Sequence, residues 1–274
     1  MLKRSIHNNI PVYRFTGLGS CSHLVHFISG REGGVSRGGQ SSLNIGFTEE
    51  DEGENVLKNR QLLLSEVGVD LSTVTTGEQK HTTHVEVVLE NSVGCGGRVR
   101  ETRLPETDAL ITALPEVCLM VLAADCVPIL LYDTERHVIA AIHAGWRGTV
   151  GKITSRVVAR MKKEFGCNPK DIRAGIGPSI GKCCFEVGEE VVEIVRKNLN
   201  RWEDLVESGK NHGKYNFDLW EANRRELMEA GLCSGYIEVA RICTVCNRDR
   251  FFSYRGDQGD TGRFGAGIMM KKKC

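Results

Sequence analysis

Three neighbouring segments, residues 117–123, 129–132 and 138–143, are apolar with almost no alternation. A strand with one face in water alternates apolar and polar side chains, so runs of this kind require strands covered on both faces. The rest of the chain must then supply layers on either side. Residues 51–67 carry Val56, Leu62, Leu63, Leu64 and Val67 among charges, which predicts a helix stopping near Gly68. Residues 149–165 place Val150, Ile153, Val157, Val158 and Met161 on one face, with Gly166 as the stop. Residues 189–199 and 217–230 read as further helices, the second capped by Asp218 and stopped by Gly231. Residues 85–89 and 172–176 read as strands, and the tail 236–270 as mainly extended. Strands and helices do not strictly alternate. The expectation is a single layered α+β-like domain over residues 1–274, not a doubly wound sheet.

Composition narrows the function classes. Lys and Arg number 36 against 35 Asp and Glu, a formal charge of +1, which lacks the electrostatic footprint of a nucleic-acid binder. With 41% hydrophobic and 26% charged residues the chain is not a disordered one. Residues 1–17 have Lys3 and Arg4 but no apolar run behind them, so no secretory signal is expected. The longest apolar stretch, 117–131, is broken by Asp125 and Pro128 and falls short of the ~18 to 20 residues of a membrane helix. The expectation is a cytoplasmic protein with no membrane or nucleic-acid partner, a monomer or weak homo-oligomer. Its 11 cysteines then stay free thiols unless a metal takes them.

Most short motifs carry little chemistry. Gly175-Ile-Gly-Pro-Ser-Ile-Gly181 misses the dinucleotide fingerprint, although a turn there could present backbone N–H groups to an anion. Cys243-Thr-Val-Cys246 is a lone C-x-x-C. A four-thiolate zinc site needs a second pair, and Cys183-Cys184, being adjacent, reads as a poor one. These four read mainly as passive thiols.

The sharper constellation is His81, Cys126 and His143. Cys126 follows Ala123-Ala124-Asp125 at the end of one apolar run, and His143 ends another, before Gly145-Trp146-Arg147-Gly148. A turn near Asp133 joins the opposite ends of two antiparallel strands, so Cys126 and His143 can lie side by side. Thiolate and imidazole are the donors that select zinc or copper, and three protein ligands leave an open catalytic position. His84 competes with His81, but on a strand it would face the other way. The same Cys/His pair also fits a hydrolase with Cys126 as nucleophile, His143 as base and Asp125 orienting the histidine or moving a proton. The polar, glycine-spaced stretch 254–263 brings Arg255 and Arg263, suited to phosphate or carboxylate, or to a solvated turn.

Taken in order, Gly33-Gly-Val-Ser36, Ser42-Leu-Asn44, Asn59-Arg60, Gln79-Lys-His81, Thr107-Asp-Ala-Leu110 and Ala124-Asp-Cys126 resemble the YfiH-like family of polyphenol oxidase or laccase-domain proteins. The likeness continues through His143-Ala-Gly-Trp-Arg-Gly148, Gly175-Ile-Gly-Pro178, Cys184-Phe-Glu-Val187, Phe217-Asp-Leu219 and Thr261-Gly-Arg263. The resemblance implies a single α/β domain with layered mixed β-sheets flanked by helices. It also implies a zinc held by His81, Cys126 and His143, and purine nucleoside phosphorolysis with adenosine deamination. Adenosine, inosine, guanosine and methylthioadenosine are the implied substrates, with phosphate as the second one. One departure is Gln79-Lys80-His81-Thr82, where the family commonly has Gln-Val-His-Gly. A multicopper centre built on His-x-His pairs does not fit eight histidines with none so spaced, although copper at the single His/Cys/His site does.

Within that resemblance, Arg60, Arg255 and Arg263 are assigned to phosphate or ribose, Asn44 to hydrogen bonding, and Asp125 to orientation or proton transfer. The alternatives are a cysteine hydrolase or amidase acting on a peptide or cell-wall precursor, a copper-dependent polyphenol oxidase, and a non-catalytic metal- or nucleoside-binding module.

Overall fold

A computed structural model of the chain describes residues 2–272; Met1, Lys273 and Cys274 lie outside it. The first of two six-stranded mixed sheets holds β1 (Leu2–His7), β2 (Ile10–Phe15), β3 (Leu24–Ser29), β4 (Val74–Thr75), β7 (Cys118–Ala123) and β15 (Phe264–Met270). Its order is β1-β2-β3-β15-β7-β4. The second holds β5 (Val85–Val87), β6 (Ala109–Thr112), β8 (Val127–Asp133), β9 (Val138–Ala144), β10 (Ile172–Ile176) and β14 (Ile237–Val239), ordered β14-β10-β8-β9-β6-β5. A small sheet adds β11 (Glu186–Gly188), β12 (Val206–Ser208) and β13 (Lys214–Phe217). The helices are α1 (Thr16–Gly19), α2 (Gly53–Val67), α3 (Trp146–Val150), α4 (Ile153–Phe165), α5 (Glu189–Asn198) and α6 (Leu219–Glu229).

The apolar runs are explained by what lies on each side of them. Leu119 and Val121 of β7 meet Leu130 and Tyr132 of β8 and Ile139 and Ala141 of β9 in a core between the two large sheets. The intervening residues face outward into further cores. Ile129, Leu131, Ala140 and Ile142 pack with Val157 and Met161 of α4, Val192 of α5 and Leu227 of α6. Cys118 and Met120 pack with Leu63, Leu64 and Val67 of α2. The layers therefore run helix, sheet, sheet, helices. Each fully buried aliphatic side chain contributes about 1.5–3 kcal/mol, which is why the middle strands hold no alternating polar residues.

The helix boundaries follow local signals. Glycine in the left-handed region ends α2 and α4, Gly68 at φ 69° and Gly166 at φ 67°. Asp218 caps α6 by accepting from the Glu221 N–H. Two expectations change. The helix predicted over 149–165 is broken at Gly151 and Lys152, the latter at φ 61°, into α3 and α4. The tail is extended only at β14 and β15, and the residues between them are mostly turns held by bonds such as Asn247 N–H to Cys243 O and Asp257 N–H to Ser253 O.

The β8–β9 hairpin positions the site. Asp133 Oδ1 accepts the N–H groups of Glu135 and Arg136 and closes the turn. The register pairs Val127 with Ala144 and Pro128 with His143. Cys126, one residue ahead of β8, is thereby set beside His143 at the open end of the hairpin.

Candidate metal centre and its cleft

A cleft of about 630 Å³ opens over this end of the second sheet. His81, Cys126 and His143 line it together with Phe47, Phe185, Tyr254, Arg103, Arg255 and Arg263. The donor atoms of His81, Cys126 and His143 all lie within 4.8 Å of one another. Cys126 Sγ is 3.6 Å from His81 Nε2, and the two imidazoles stand nearly edge to face with centroids 5.0 Å apart.

One buried carboxylate organises both histidines. Asp108 sits next to β6, whose Ala109 pairs with Ile142 of β9, and its own carbonyl accepts the His143 N–H. Its Oδ1 accepts from the His81 N–H at 3.1 Å and meets His143 Nδ1 at 2.8 Å. Its Oδ2 accepts from the N–H groups of Lys80 and Thr82 and from the Thr82 hydroxyl. His81 has φ 60°, so the surrounding loop holds it in a conformation an isolated chain rarely adopts. With Nδ1 turned to Asp108, Nε2 is the His143 nitrogen on the Cys126 side, the atom whose proton a metal would displace.

The electrostatics suit a metal-binding thiolate. Burial pushes the Cys126 thiol up, but the His143 charge and hydrogen bonds from both imidazoles outweigh it and hold the thiol at about 6. Burial pushes His143 down, yet the Cys126 charge and the Asp108 hydrogen bond raise it to about 9. Asp108 is held below the usual carboxylate range: burial acts upward, and bonds from His143 and Thr82 overcome it.

Gly145 leaves room for the donors. A Cβ there would stand 2.8 Å from His81 Cδ2 and 3.1 Å from Cys126 Sγ. A soft thiolate, two imidazoles, a carboxylate fixing one ring and a glycine cradle together fit a zinc-class ion.

Several expectations are corrected. Arg60 does not reach the cleft: it is 1% exposed, and its guanidinium donates to the carbonyls of Ile45, Gly96 and Gly97 while stacking on Phe47. Asn44 is fully buried and bonds Gly46, Asp51 and the Arg263 N–H, so it shapes a loop and does not meet a ligand. Asp125 does not orient His143; Asp108 does. Asp125 lines the cleft at φ 90° and accepts from Thr244 Oγ, Ser253 Oγ and the Arg255 N–H, tying the 244–255 loop to Cys126. The Gly175–Gly181 turn offers no anion nest. The N–H groups of Gly177, Ser179, Ile180 and Gly181 are taken by Pro128 O, Ile242 O, Asp125 O and Cys243 Sγ. His84 is exposed and pairs with Glu86.

Arg255 and Arg263 do line the cleft. Arg263 Nη1 donates to the carbonyls of Thr261 and Gly262, and Arg255 lies beside Phe185. Asp108 is the residue that sequence reasoning passed over. Its only signal was membership of the Thr107-Asp-Ala-Leu110 stretch, because nothing local shows that β6 lies against β9.

A family model described as multi-copper polyphenol oxidoreductase laccase matches residues 25–271. The chain belongs to this family. A purine nucleoside phosphorylase of Bacteroides thetaiotaomicron is 41% identical over 98% of this chain and 99% of its own length. A protein named adenosine deaminase RL5, from an unknown prokaryotic organism, is 37% identical over 86% of this chain and 89% of its own. The crystal structure of Bacillus licheniformis hypothetical protein YfiH superposes with a TM-score of 0.91 at 33% identity, covering 97% of each chain. The layered α/β fold is thus the YfiH-like one of this laccase-domain family. Among the described residues, the groups of three or more possible metal ligands are the His81/Cys126/His143 set and one of four cysteines. Neither is the histidine-rich assembly of a multicopper centre, and no helix of the described residues is long and apolar enough to cross a membrane.

Proposed function

We propose that the cleft is the active site of a purine nucleoside phosphorylase that also deaminates adenosine. The observation that carries the reading is the convergence, in one cleft, of the His81/Cys126/His143 donor set with three arginines and the rings of Tyr254 and Phe185. The relatives' names point the same way. Phosphorolysis forms a bond from a phosphate oxygen to the ribose anomeric carbon and breaks the bond to the purine, so it needs a charge complement for phosphate and a surface for the base. Arg255 and Arg263 are assigned to phosphate and ribose, and Tyr254 and Phe185 to the purine.

His81, Cys126 and His143 are the residues proposed to hold zinc, and the same donors take copper. Bound there, zinc supplies Lewis-acid polarisation and water activation, the second being what deamination needs. Asp108 holds the Nδ1–H of His143, so that Nε2 would face the metal. Asp125 holds Arg255 through its backbone N–H and is assigned proton transfer. Adenosine, inosine, guanosine and methylthioadenosine with phosphate are the proposed substrates. The reading places the chain in the cytoplasm, where reducing conditions keep Cys126 out of disulfides. A monomer or weak homo-oligomer is the proposed state.

The test is Cys126→Ala, assayed for metal content and for products from adenosine and inosine with and without phosphate. Loss of metal and of both turnovers is expected, and turnover retained without metal would sink the reading. One observation favours a second reading: Cys126, His143 and Asp108 also form a thiol, base and carboxylate array with a lowered thiol pKa. A hydrolase of this kind would be trapped covalently at Cys126 by an electrophilic peptide or cell-wall analogue in metal-free protein.

A further inference from the structure

We infer that Cys183, Cys184, Cys243 and Cys246 form a second metal site, in which four thiolates hold one zinc-class ion as a structural staple behind the cleft. The four Sγ atoms lie within 4.8 Å of one another. Cys246 Sγ is 3.8 Å from Cys183 Sγ and 3.5 Å from Cys184 Sγ. A zinc ion at about 2.3 Å from each of four sulfurs sets them about 3.8 Å apart, the edge of a tetrahedron. A disulfide needs about 2.05 Å, and all four are free thiols. Thiols that served only as small hydrophobes would be buried, whereas Cys183 and Cys246 are exposed.

The backbone supports a ligand cluster. The Gly181 N–H donates to Cys243 Sγ at 3.3 Å, a bond that favours the thiolate. Two turns carry the four residues. One is closed by Cys184 and Phe185 N–H to Gly181 O, the other by Asn247 N–H to Cys243 O. A bridge between Ser179 and Cys243 lays the turns side by side. The adjacency of Cys183 and Cys184, which seen alone argues against chelation, is overcome because the two sulfurs approach Cys246 from one tight turn.

The position gives the staple a purpose. The first turn leads into Phe185 of the cleft wall, and the second carries Thr244, which bonds the Asp125 carboxylate. Arg255 Nη1 faces the carbonyls of Cys184 and Glu186 at 3.4 and 3.3 Å. An ion joining the turns fixes the wall on which Arg255 stands. Binding exchanges thiol protons for the metal and needs no oxidant.

The inference is independent of the nucleoside reading and is tested without turnover. Full-length wild type, Cys126→Ala and Cys126→Ala/Cys243→Ser/Cys246→Ser are reconstituted with zinc, then with cobalt, under anaerobic reducing conditions. Wild type is expected to hold about two equivalents and Cys126→Ala about one, the latter giving the intense thiolate-to-cobalt absorption of an all-sulfur tetrahedral site. The ion should also protect these four cysteines from iodoacetamide until a chelator is added. An absence of metal in folded Cys126→Ala would overturn the proposal. Alkylation unaffected by zinc, or a mass 2 Da lower marking a disulfide in the native protein, would do the same. If the triple variant does not fold, the cobalt spectrum and alkylation map of Cys126→Ala decide alone.

Discussion

Replacing Asp108 by Asn tests whether one buried carboxylate organises the metal centre. The side chain keeps its shape, but one oxygen becomes an NH2 that can only donate. If nitrogen takes the Oδ1 place, it confronts the His81 N–H and the Nδ1–H of His143. His143 must then move its proton to Nε2, closing the atom that faces Cys126. If nitrogen takes the Oδ2 place, three bonds, from the Lys80 and Thr82 N–H groups and the Thr82 hydroxyl, are lost. At about 1.5 kcal/mol per bond to a charged acceptor, the cost is roughly 3 kcal/mol in the first case and 4.5 in the second. Against a typical total of about 5–15 kcal/mol the protein stays folded but weakened. Either arrangement also disturbs a donor, which lowers metal affinity about 10–100-fold. Chelator competition gives the affinity, and denaturant unfolding of the metal-free protein gives the stability. Folded Asp108→Asn with wild-type metal affinity would refute the proposed organising role.

Further outcomes follow from the same geometry. Gly145→Ala sets a Cβ 2.8 Å from the His81 ring and 3.1 Å from Cys126 Sγ, and should weaken metal binding at least about tenfold while β8 and β9 still pair, as read by chelator titration and circular dichroism. Arg60→Met leaves three buried carbonyls without their charged donor and should cost about 4.5 kcal/mol. Because Arg60 is buried and does not line the cleft, an effect on phosphate KM with unchanged stability would contradict its assignment to the scaffold. Glu226 is buried beside the Thr154 hydroxyl, and burial raises its carboxyl from 4.5 to about 7. A raised carboxyl pKa makes the unfolded chain ionise first, so stability is lost as pH climbs from about 4.5 to 7 and the cost is complete above that. Glu226→Gln should therefore gain about 3 kcal/mol over wild type at pH 8 and nothing below pH 4, measured by unfolding midpoints; a gain independent of pH would refute the assignment.

Much of the architecture is legible in short stretches of chain. The apolar runs 117–123, 129–132 and 138–143 required cover on both faces, and the cores on either side of β7, β8 and β9 supply it. The stops at Gly68 and Gly166 and the cap at Asp218 depend on backbone groups within a few residues, so local sequence specifies them. The nearness of Cys126 and His143 belongs to the same class, because a hairpin of known register brings its two open ends together.

What depended on tertiary structure is the meeting of segments distant in sequence. Arg60 looks like a phosphate ligand until Ile45, Gly96 and Gly97 close around it, and a charge carries no mark of whether water will reach it. Asp108 becomes the hinge of the site only because β6 lies against β9 and receives the 80–82 loop. Cys183-Cys184 and Cys243-Thr-Val-Cys246 are two weak signals nearly sixty residues apart, joined into one cluster by the bridge at Ser179 and Cys243. Periodicity and capping are near-neighbour properties, and the sequence by itself determines them. Ligand geometry, burial of charge and choice of hydrogen-bond partner are set by long-range packing, and only the folded chain decides those.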